Sequence, residues 1–500
     1  MNGPAYGDRD PVAAIATPLA ESALALVRTA GGASGDGAIE LLSQVFSRPV
    51  KLLAAEGNSL VHGWIVDPSS GKKIDEVVAS VFRAPHSYTG EDCVDISCHG
   101  GIAAVKAIMA ALKHAGFREA LPGEFTFRAF MNGKLDLTRA ESVMEIVSAK
   151  TGKGRELAIR RLAGALEKEI NEIKIMLAEV LAGTEIYLDY SEDEFLDPGD
   201  DEAAGRLPGK DLAEKAAERL KGLAENWRRE RIYTEGFSVV ITGRPNAGKS
   251  SLFNYLVKED RSIVTDTPGT TRDWIEACIS IDGIPLRLAD TAGLRCLNSN
   301  NFGSNNFDSI DLKENTEAER IGIKRSMELI DKADLVLYVI DGVEGITGED
   351  MDFLSRHRES TPLKPILILW NKADLEPEPV SGKELPGKLL TVSAKTGEGI
   401  SALAHSITGL LESAGTSSVT INSGPELATG PGTIRQKELI DAALASVEEA
   451  LALATGKEQA PLDIIAPLFR SAINSLGEIT GEVSNTDILD IMFSRFCVGK

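Results

Sequence analysis

The sequence predicts a multidomain α/β plus α protein. An N-terminal α+β domain spans 1–131, a helical domain is built from two segments, 132–235 and 412–500, and a domain with a mostly parallel sheet, 236–411, is inserted between them. Three observations predict this. Residues 11–130 alternate short apolar runs with Gly-rich breaks; the flanks of the middle carry apolar residues three and four apart; the middle repeats a strand-then-helix rhythm.

In the first domain, Ala23-Leu-Ala-Leu-Val27, Glu76-Val-Val-Ala-Ser-Val-Phe82 and Val94-Asp-Ile-Ser97 read as strands, and Ile102 to His114 reads as a helix. From Leu135 to Ile186 the period changes. Ile159, Leu162, Leu166, Ile170, Ile173, Leu177 and Leu181 fall on one stripe of one or more long amphipathic helices. A Gly/Pro-bearing acidic loop, 191–209, precedes a charged helix from Asp211 to Arg231. Strands are expected at Ser238–Thr242, Leu286–Ala289, Leu335–Ile340, Pro365–Trp370 and Leu389–Val392. Residues 412–435 read as a linker, and helical periodicity returns at Leu439, Ala443, Val447, Ile464, Leu468, Ile473 and Leu476. The Asn/Ser-dense run Leu297 to Asn315 is expected to be a mobile loop.

The chain has 53 Lys+Arg against 75 Asp+Glu, a net charge of −22. This excludes a large basic face that grips nucleic acid by phosphate neutralisation alone, so an RNA contact has to be local, as along Lys150, Lys153, Arg155, Arg160 and Arg161, or belong to a partner. No apolar stretch approaches the ~20 residues of a membrane span. Five cysteines without regular spacing do not make a disulfide framework, and the first ten residues lack a signal or transit pattern. The expected setting is the cytoplasm of a bacterium.

Gly243-Arg-Pro-Asn-Ala-Gly-Lys-Ser250 follows a strand and opens a helix, as a phosphate-binding loop requires. Backbone N–H groups from Asn246, Ala247, Gly248, Ser250 and Ser251 and the helix N-terminus suit phosphate oxygens, Lys249 neutralises them, and the Ser250 hydroxyl is a Mg²⁺ ligand. Asp290-Thr-Ala-Gly293 follows a strand; Asp290 can hold Mg²⁺ through water, and Gly293 lets its N–H approach the γ-phosphate, with Thr291 and Ala292 between. Asn371-Lys-Ala-Asp374 sits at the sheet edge where such folds bind ligands. The acceptor-only Asp374 carboxylate matches guanine's N1–H and exocyclic amine, a donor pair adenine lacks. Ser393-Ala394-Lys395 brings a backbone N–H to the guanine carbonyl. Together these four strings predict a P-loop GTPase (Ras-like) domain that binds GTP and GDP. Where small Ras-like GTPases carry a water-orienting Gln, Leu294 stands here, so another group must position the water. Thr265-Asp266-Thr267-Pro268-Gly269-Thr270-Thr271 offers Thr271 to Mg²⁺ and carbonyls to a cation, and the Asn246 side-chain oxygen can hold a monovalent cation beside the phosphates.

With these strings in view, the chain resembles the tRNA modification GTPases known as MnmE or TrmE, over nearly its whole length. The resemblance is carried by Ala84-Pro-His-Ser-Tyr-Thr-Gly-Glu-Asp92, Cys98-His-Gly-Gly101, Pro122-Gly-Glu-Phe125, Arg128-Ala-Phe-Met-Asn-Gly-Lys-Leu-Asp-Leu137, the GTPase strings, and Leu476-Gly-Glu-Ile-Thr-Gly-Glu482 with Phe496-Cys-Val-Gly-Lys500. It implies an N-terminal domain that binds 5-formyltetrahydrofolate or a related one-carbon donor and forms a homodimer. It also implies an FAD-dependent MnmG or GidA partner and modification of carbon 5 of a tRNA wobble uridine. By resemblance, Arg28, Glu91, Lys134 and Lys500 contact the folate; Asn246, Thr265, Thr267 and Thr270 surround K⁺; Glu319 fixes the attacking water; and Cys497 lies near the folate.

Each of these residues also has a plainer reading. The charges suit a solvated surface, Glu319 a helix start, and Cys497 a small apolar position. The sequence departs from the family at the insertion Leu297 to Asn315, at Leu19-Ala-Glu-Ser-Ala23 and at Gln436, where the family carries histidine. A second functional class, a regulatory GTPase of ribosome assembly that binds RNA, shares the nucleotide strings. Such proteins add a basic module, whereas here Asp487-Ile-Leu-Asp490 is acidic.

Overall fold

The computed structural model describes residues 10–32, 37–189, 207–259, 276–290, 329–359, 364–375, 385–415, 429–455, 460–483 and 486–499. Two compact units divide the chain: 1–147, 160–222 and 433–500 form one, and 148–159 with 223–432 form the other.

The first unit opens with β1 (Val12–Ile15), β2 (Ser22–Gly31), α1 (Ala38–Ser43), α2 (Pro49–Leu53), β3 (Ser59–Val66), β4 (Lys73–Phe82), β5 (Asp92–Gly100), α3 (Ile102–His114), β6 (Arg118–Glu119) and α4 (Glu124–Met131). The sheet order is β3-β4-β5-β2-β1-β6, antiparallel except for β1 with β6. Alternation on β4 sends Val77, Ala79 and Val81 into a core shared with Val27, Ile96 and the α3 residues Ile108 and Leu112. The β2–β5 register sets Arg28 opposite Asp95, which places two charged side chains as cross-strand neighbours.

Helices α5 (Leu137–Ser148), α6 (Gly152–Leu162), α7 (Ala165–Asp189) and α8 (Lys210–Thr234) follow. The stripe expected to run from Ile159 is split at Gly164, whose φ of +92° ends one helix before the next begins. On α7, Leu166, Ile170, Ile173, Leu177 and Val180 are fully buried at alternating spacings of four and three. Each such burial contributes about 2 kcal/mol.

The inserted unit contains β7 (Phe237–Gly243), α9 (Lys249–Glu259), β8 (Glu276–Ile281), β9 (Ile284–Asp290), β10 (Leu335–Asp341), α10 (Gly348–Glu359), β11 (Ile366–Asn371), β12 (Lys388–Thr391) and α11 (Ile400–Gly415). Its sheet runs β12-β11-β10-β7-β9-β8, parallel apart from the β8–β9 hairpin. Every residue of β10 and β11 is buried, as strands covered on both faces require. The linker read from 412 starts later than the sequence suggested, because α11 continues to Gly415. The expected loop Leu297 to Asn315 lies outside the described residues.

The chain returns to the first unit with α12 (Ile434–Thr455), α13 (Leu462–Thr480) and α14 (Thr486–Phe493). Ile465, Phe469, Ala472, Leu476 and Ile479 make the buried stripe of α13, which packs on α12 and on α7. Helices from before and after the inserted unit therefore share one core. The re-entry point is fixed by Glu141 of α5, which is 5% exposed. Its oxygens accept Arg435 Nε at 2.9 Å and Nη2 at 3.0 Å, and the Gln436 amide donates to the same carboxylate. Removing one partner of such a buried pair strands the other. Glu141→Ala is expected to destabilise this unit by about 3 kcal/mol, read as a lower denaturant midpoint. An unchanged midpoint would show that the cluster is energetically neutral.

Candidate functional site

The described parts of the nucleotide strings meet at the C-terminal ends of β7, β9, β11 and β12. The loop between β7 and α9 turns through Asn246, at φ +63°, and Gly248, at φ +94°. A Cβ on Gly248 would lie 2.1 Å from the Asn371 amide nitrogen, so only glycine permits this approach. Lys249, 7% exposed at the start of α9, donates to the Arg244 carbonyl at 2.6 Å, which folds its ammonium back over the loop. The Ser250 hydroxyl donates to Asp290 Oδ2 at 2.9 Å, bringing the two expected Mg²⁺-side oxygens together from strings 40 residues apart. Hard oxygen donors this close suit a small divalent cation.

Asn371 has a part its place in the motif did not reveal. Its Nδ2 donates to the Ala247 carbonyl at 2.8 Å, and its Oδ1 accepts the Ala394 N–H at 3.0 Å. One buried side chain thus ties the phosphate loop to the Ser393-Ala394-Lys395 loop. Lys372, at φ +68°, pairs with Asp341 at 2.5 Å. The Asp341 carboxyl lies below the usual range: burial works against ionisation, and Lys372 with nearby backbone N–H groups outweighs it. Ala373 N–H donates to Val392 O at 3.1 Å. The half-buried Asp374 accepts the Ser393 hydroxyl at 2.7 Å, and this bond, with Lys395 4.0 Å away, lowers its pKa. Asp374 is therefore an acceptor-only carboxylate at neutral pH. Thr265, Asp266, Thr267, Pro268, Gly269, Thr270, Thr271, Thr291, Ala292, Gly293 and Glu319 lie outside the described residues.

A second cluster forms in the first unit, around Arg28. Asp95 accepts its Nε at 3.0 Å and its Nη2 at 3.2 Å, and Nη1 donates to the Gly499 carbonyl at 3.2 Å. The guanidinium carbon lies 5.7 Å from the Tyr88 ring centroid and 5.8 Å from that of Phe125. Burial opposes this charge, and the Asp95 carboxylate more than offsets the opposition, raising the Arg28 pKa. Glu91 Oε2 accepts Arg128 Nη1 at 3.1 Å; Arg128 in turn is held by Glu124, which also binds Arg118 and the Leu121 N–H. Lys134 Nζ donates to the Pro85 carbonyl at 2.9 Å. Cys497 is exposed, and the buried residue beside it is Phe496. Lys500 lies outside the described residues.

Sequence reading did not find Asp95, Tyr88, Phe125 or Arg128. The signal available for Asp95 was its place at the centre of a predicted strand, where a carboxylate needs a cross-strand partner. Arg161, counted above in a basic surface stripe, is fully buried and paired with Glu145 at 2.7 Å, so it leaves that stripe. Among the described residues no helix is long and apolar enough to cross a membrane, and no His/Cys/Asp/Glu group has metal-site spacing.

Known proteins resemble this chain along nearly its whole length. Residues 11–134 match the family model "GTP-binding protein TrmE N-terminus", and residues 137–497 match "MnmE helical domain". The chain is similar to the tRNA modification GTPase MnmE of Treponema denticola, at 42% identity over 507 residues and 99% of each chain. It is also similar to those of Borreliella burgdorferi strain ZS7, at 38% over 98% of each, and Carboxydothermus hydrogenoformans, at 38% over 98% of this chain and 99% of the relative. With a nucleotide-site geometry built from the same strings, the chain belongs to the MnmE (TrmE) family of tRNA modification GTPases and is a GTP hydrolase.

Proposed function

We propose that GTP hydrolysis here is Mg²⁺-dependent and K⁺-stimulated. It serves the addition of an aminomethyl or carboxymethylaminomethyl group to carbon 5 of a tRNA wobble uridine, using a tetrahydrofolate one-carbon unit. The protein works as a cytoplasmic homodimer with an FAD-dependent MnmG or GidA partner. The observation that carries the nucleotide part is the Ser250–Asp290 hydrogen bond, which sets two hard oxygens beside Lys249 at the start of α9.

Ser250 and Thr271 hold Mg²⁺, which supplies charge stabilisation on the β and γ phosphates when bound. Asn246, Thr265, Thr267 and Thr270 hold K⁺, in the place an arginine finger takes elsewhere. Lys249 and the backbone of Asn246 to Ser251 position the phosphates; Asp290 and Gly293 flank the γ-phosphate; Glu319 orients the water; Asp374 and Ala394 read the base. In the first unit Arg28, Glu91, Lys134 and Lys500 bind the folate. The donor set fits: pterin N–H groups suit the Glu91 carboxylate, whose other oxygen is taken by Arg128, and folate carboxylates suit the ammonium groups. Cys497 stands near the one-carbon unit.

Hydrolysis is expected to run at least tenfold faster in KCl than in NaCl. Glu319→Ala is expected to lower kcat by about 10²-fold or more while nucleotide affinity survives. Phosphate release measured in the two salts decides the cation assignment, and equal rates would refute it. Failure of the dimeric protein to bind 5-formyltetrahydrofolate would return the reading to a regulatory RNA-binding GTPase.

A further inference from the structure

Arg28 and the segment 493–499 meet although 471 residues separate Arg28 from Gly499. The segment is seated by packing first. Phe493 and Phe496, 0% and 7% exposed, lie among Phe127, Phe130 and Leu137. Gly123 N–H donates to the Cys497 carbonyl at 3.3 Å. A Cβ on Gly123 would lie 2.6 Å from the Phe493 carbonyl, and one on Gly499 would lie 2.9 Å from Ala16 Cα, so the backbone passes closely at both points. The apolar seat ends at Phe496. Beyond it, the Cys497 and Val498 side chains are exposed, and the backbone is held by the Gly123–Cys497 bond and then by the Arg28–Gly499 bond.

That bond needs a particular orientation of a side chain with four rotatable torsions. Asp95 supplies it by occupying Nε and Nη2 in a fork, which leaves Nη1 as the edge directed at Gly499. The Asp95 side chain is only 19% exposed and its carbons are fixed in the middle of β5, so it is a rigid template. We infer that Asp95 is a positioning residue of this site: it holds Arg28 so that the guanidinium latches the Gly499 carbonyl, and the latch sets where Cys497 and its neighbours lie. Arg28 thereby meets the incoming ligand as a neutralised pair carrying the tail, rather than as a bare cation for a ligand carboxylate. The tetrahydrofolate reading enters only in naming what the site binds; the latch stands on contacts within the chain.

Hydrogen exchange of the full-length protein, followed by mass spectrometry, tests this. In Asp95→Asn the amides of Gly123, Arg495 and Phe496 are expected to exchange about tenfold faster, with strand β4 unchanged as the report of an intact fold. Arg28→Lys, which keeps the charge and loses the fork, is expected to do the same, and it decides the matter if Asp95→Asn also loosens β4. Asp95→Glu, which keeps a fork-forming carboxylate, is expected to recover part of the protection. Unchanged exchange at these amides in both variants overturns the latch. Added 5-formyltetrahydrofolate is expected to slow the same amides in the unsubstituted protein and about tenfold less effectively in Asp95→Asn. If the variants loosen the tail while the folate has no effect on the unsubstituted protein, the latch stands and the ligand assignment falls.

Discussion

Asn371→Ala is expected to weaken GTP binding by about a hundredfold. The Asn371 side chain is 2% exposed and makes two bonds to two loops, one at the Ala247 carbonyl and one at the Ala394 N–H. Truncation leaves a buried acceptor and a buried donor without their partner, and each such loss costs about 1–3 kcal/mol. Both loops approach the nucleotide, one at the phosphates and one at the base, so the cost falls on the geometry that binding requires. About 3 kcal/mol in total corresponds to about two decades of affinity. Titration with a fluorescent GTP analogue measures it, and an affinity within about threefold of the unsubstituted protein would mean the loops hold their shape without this link.

Asp374→Asn is expected to exchange base preference, with GTP losing and xanthosine triphosphate gaining, by about four decades in relative affinity. The reason lies in the donor–acceptor inventory: a carboxylate accepts both guanine donors, whereas an amide presents one acceptor and one donor. Ser393 decides which way the amide faces. Its hydroxyl donates to Asp374 Oδ1, so the amide oxygen keeps that bond and the –NH₂ turns toward the base, where xanthine offers a carbonyl. Competition between the two nucleotides is the measurement, and retained guanine selectivity would remove Asp374 as the reader.

The nucleotide cluster was largely legible in the sequence because each of its strings is contiguous and follows a short apolar run that reads as a strand. Gly243 to Ser250 and Asn371 to Asp374 each announce a strand end and a ligand-facing turn within a few residues. What was not legible depends on registers and packings that join distant residues. Asp95 reaches Arg28 across 67 positions, and Arg435 reaches Glu141 across 294. No local pattern encodes either pairing. Arg161 was misread for a related reason. A charge on an amphipathic repeat reads as solvated until a partner such as Glu145 is seen beside it. The family resemblance located Arg28 and Glu91 but gave no hint that Arg28 spends its donors on Asp95 and Gly499.

The shared core of α7 and α13 has a consequence for how the protein is made. Ribosomes deliver the chain from the N-terminus, so α7 emerges with Leu166, Ile170, Ile173, Leu177 and Val180 bare, and its partner α13 is ~270 residues away. At translation rates of about 5–20 residues per second the stripe waits on the order of 15–50 s for its cover. The inserted unit can fold in that interval on its own core, while the helical domain stays open until α13 clears the exit tunnel. Nascent chains stalled before 462 should therefore recruit chaperones at 166–180.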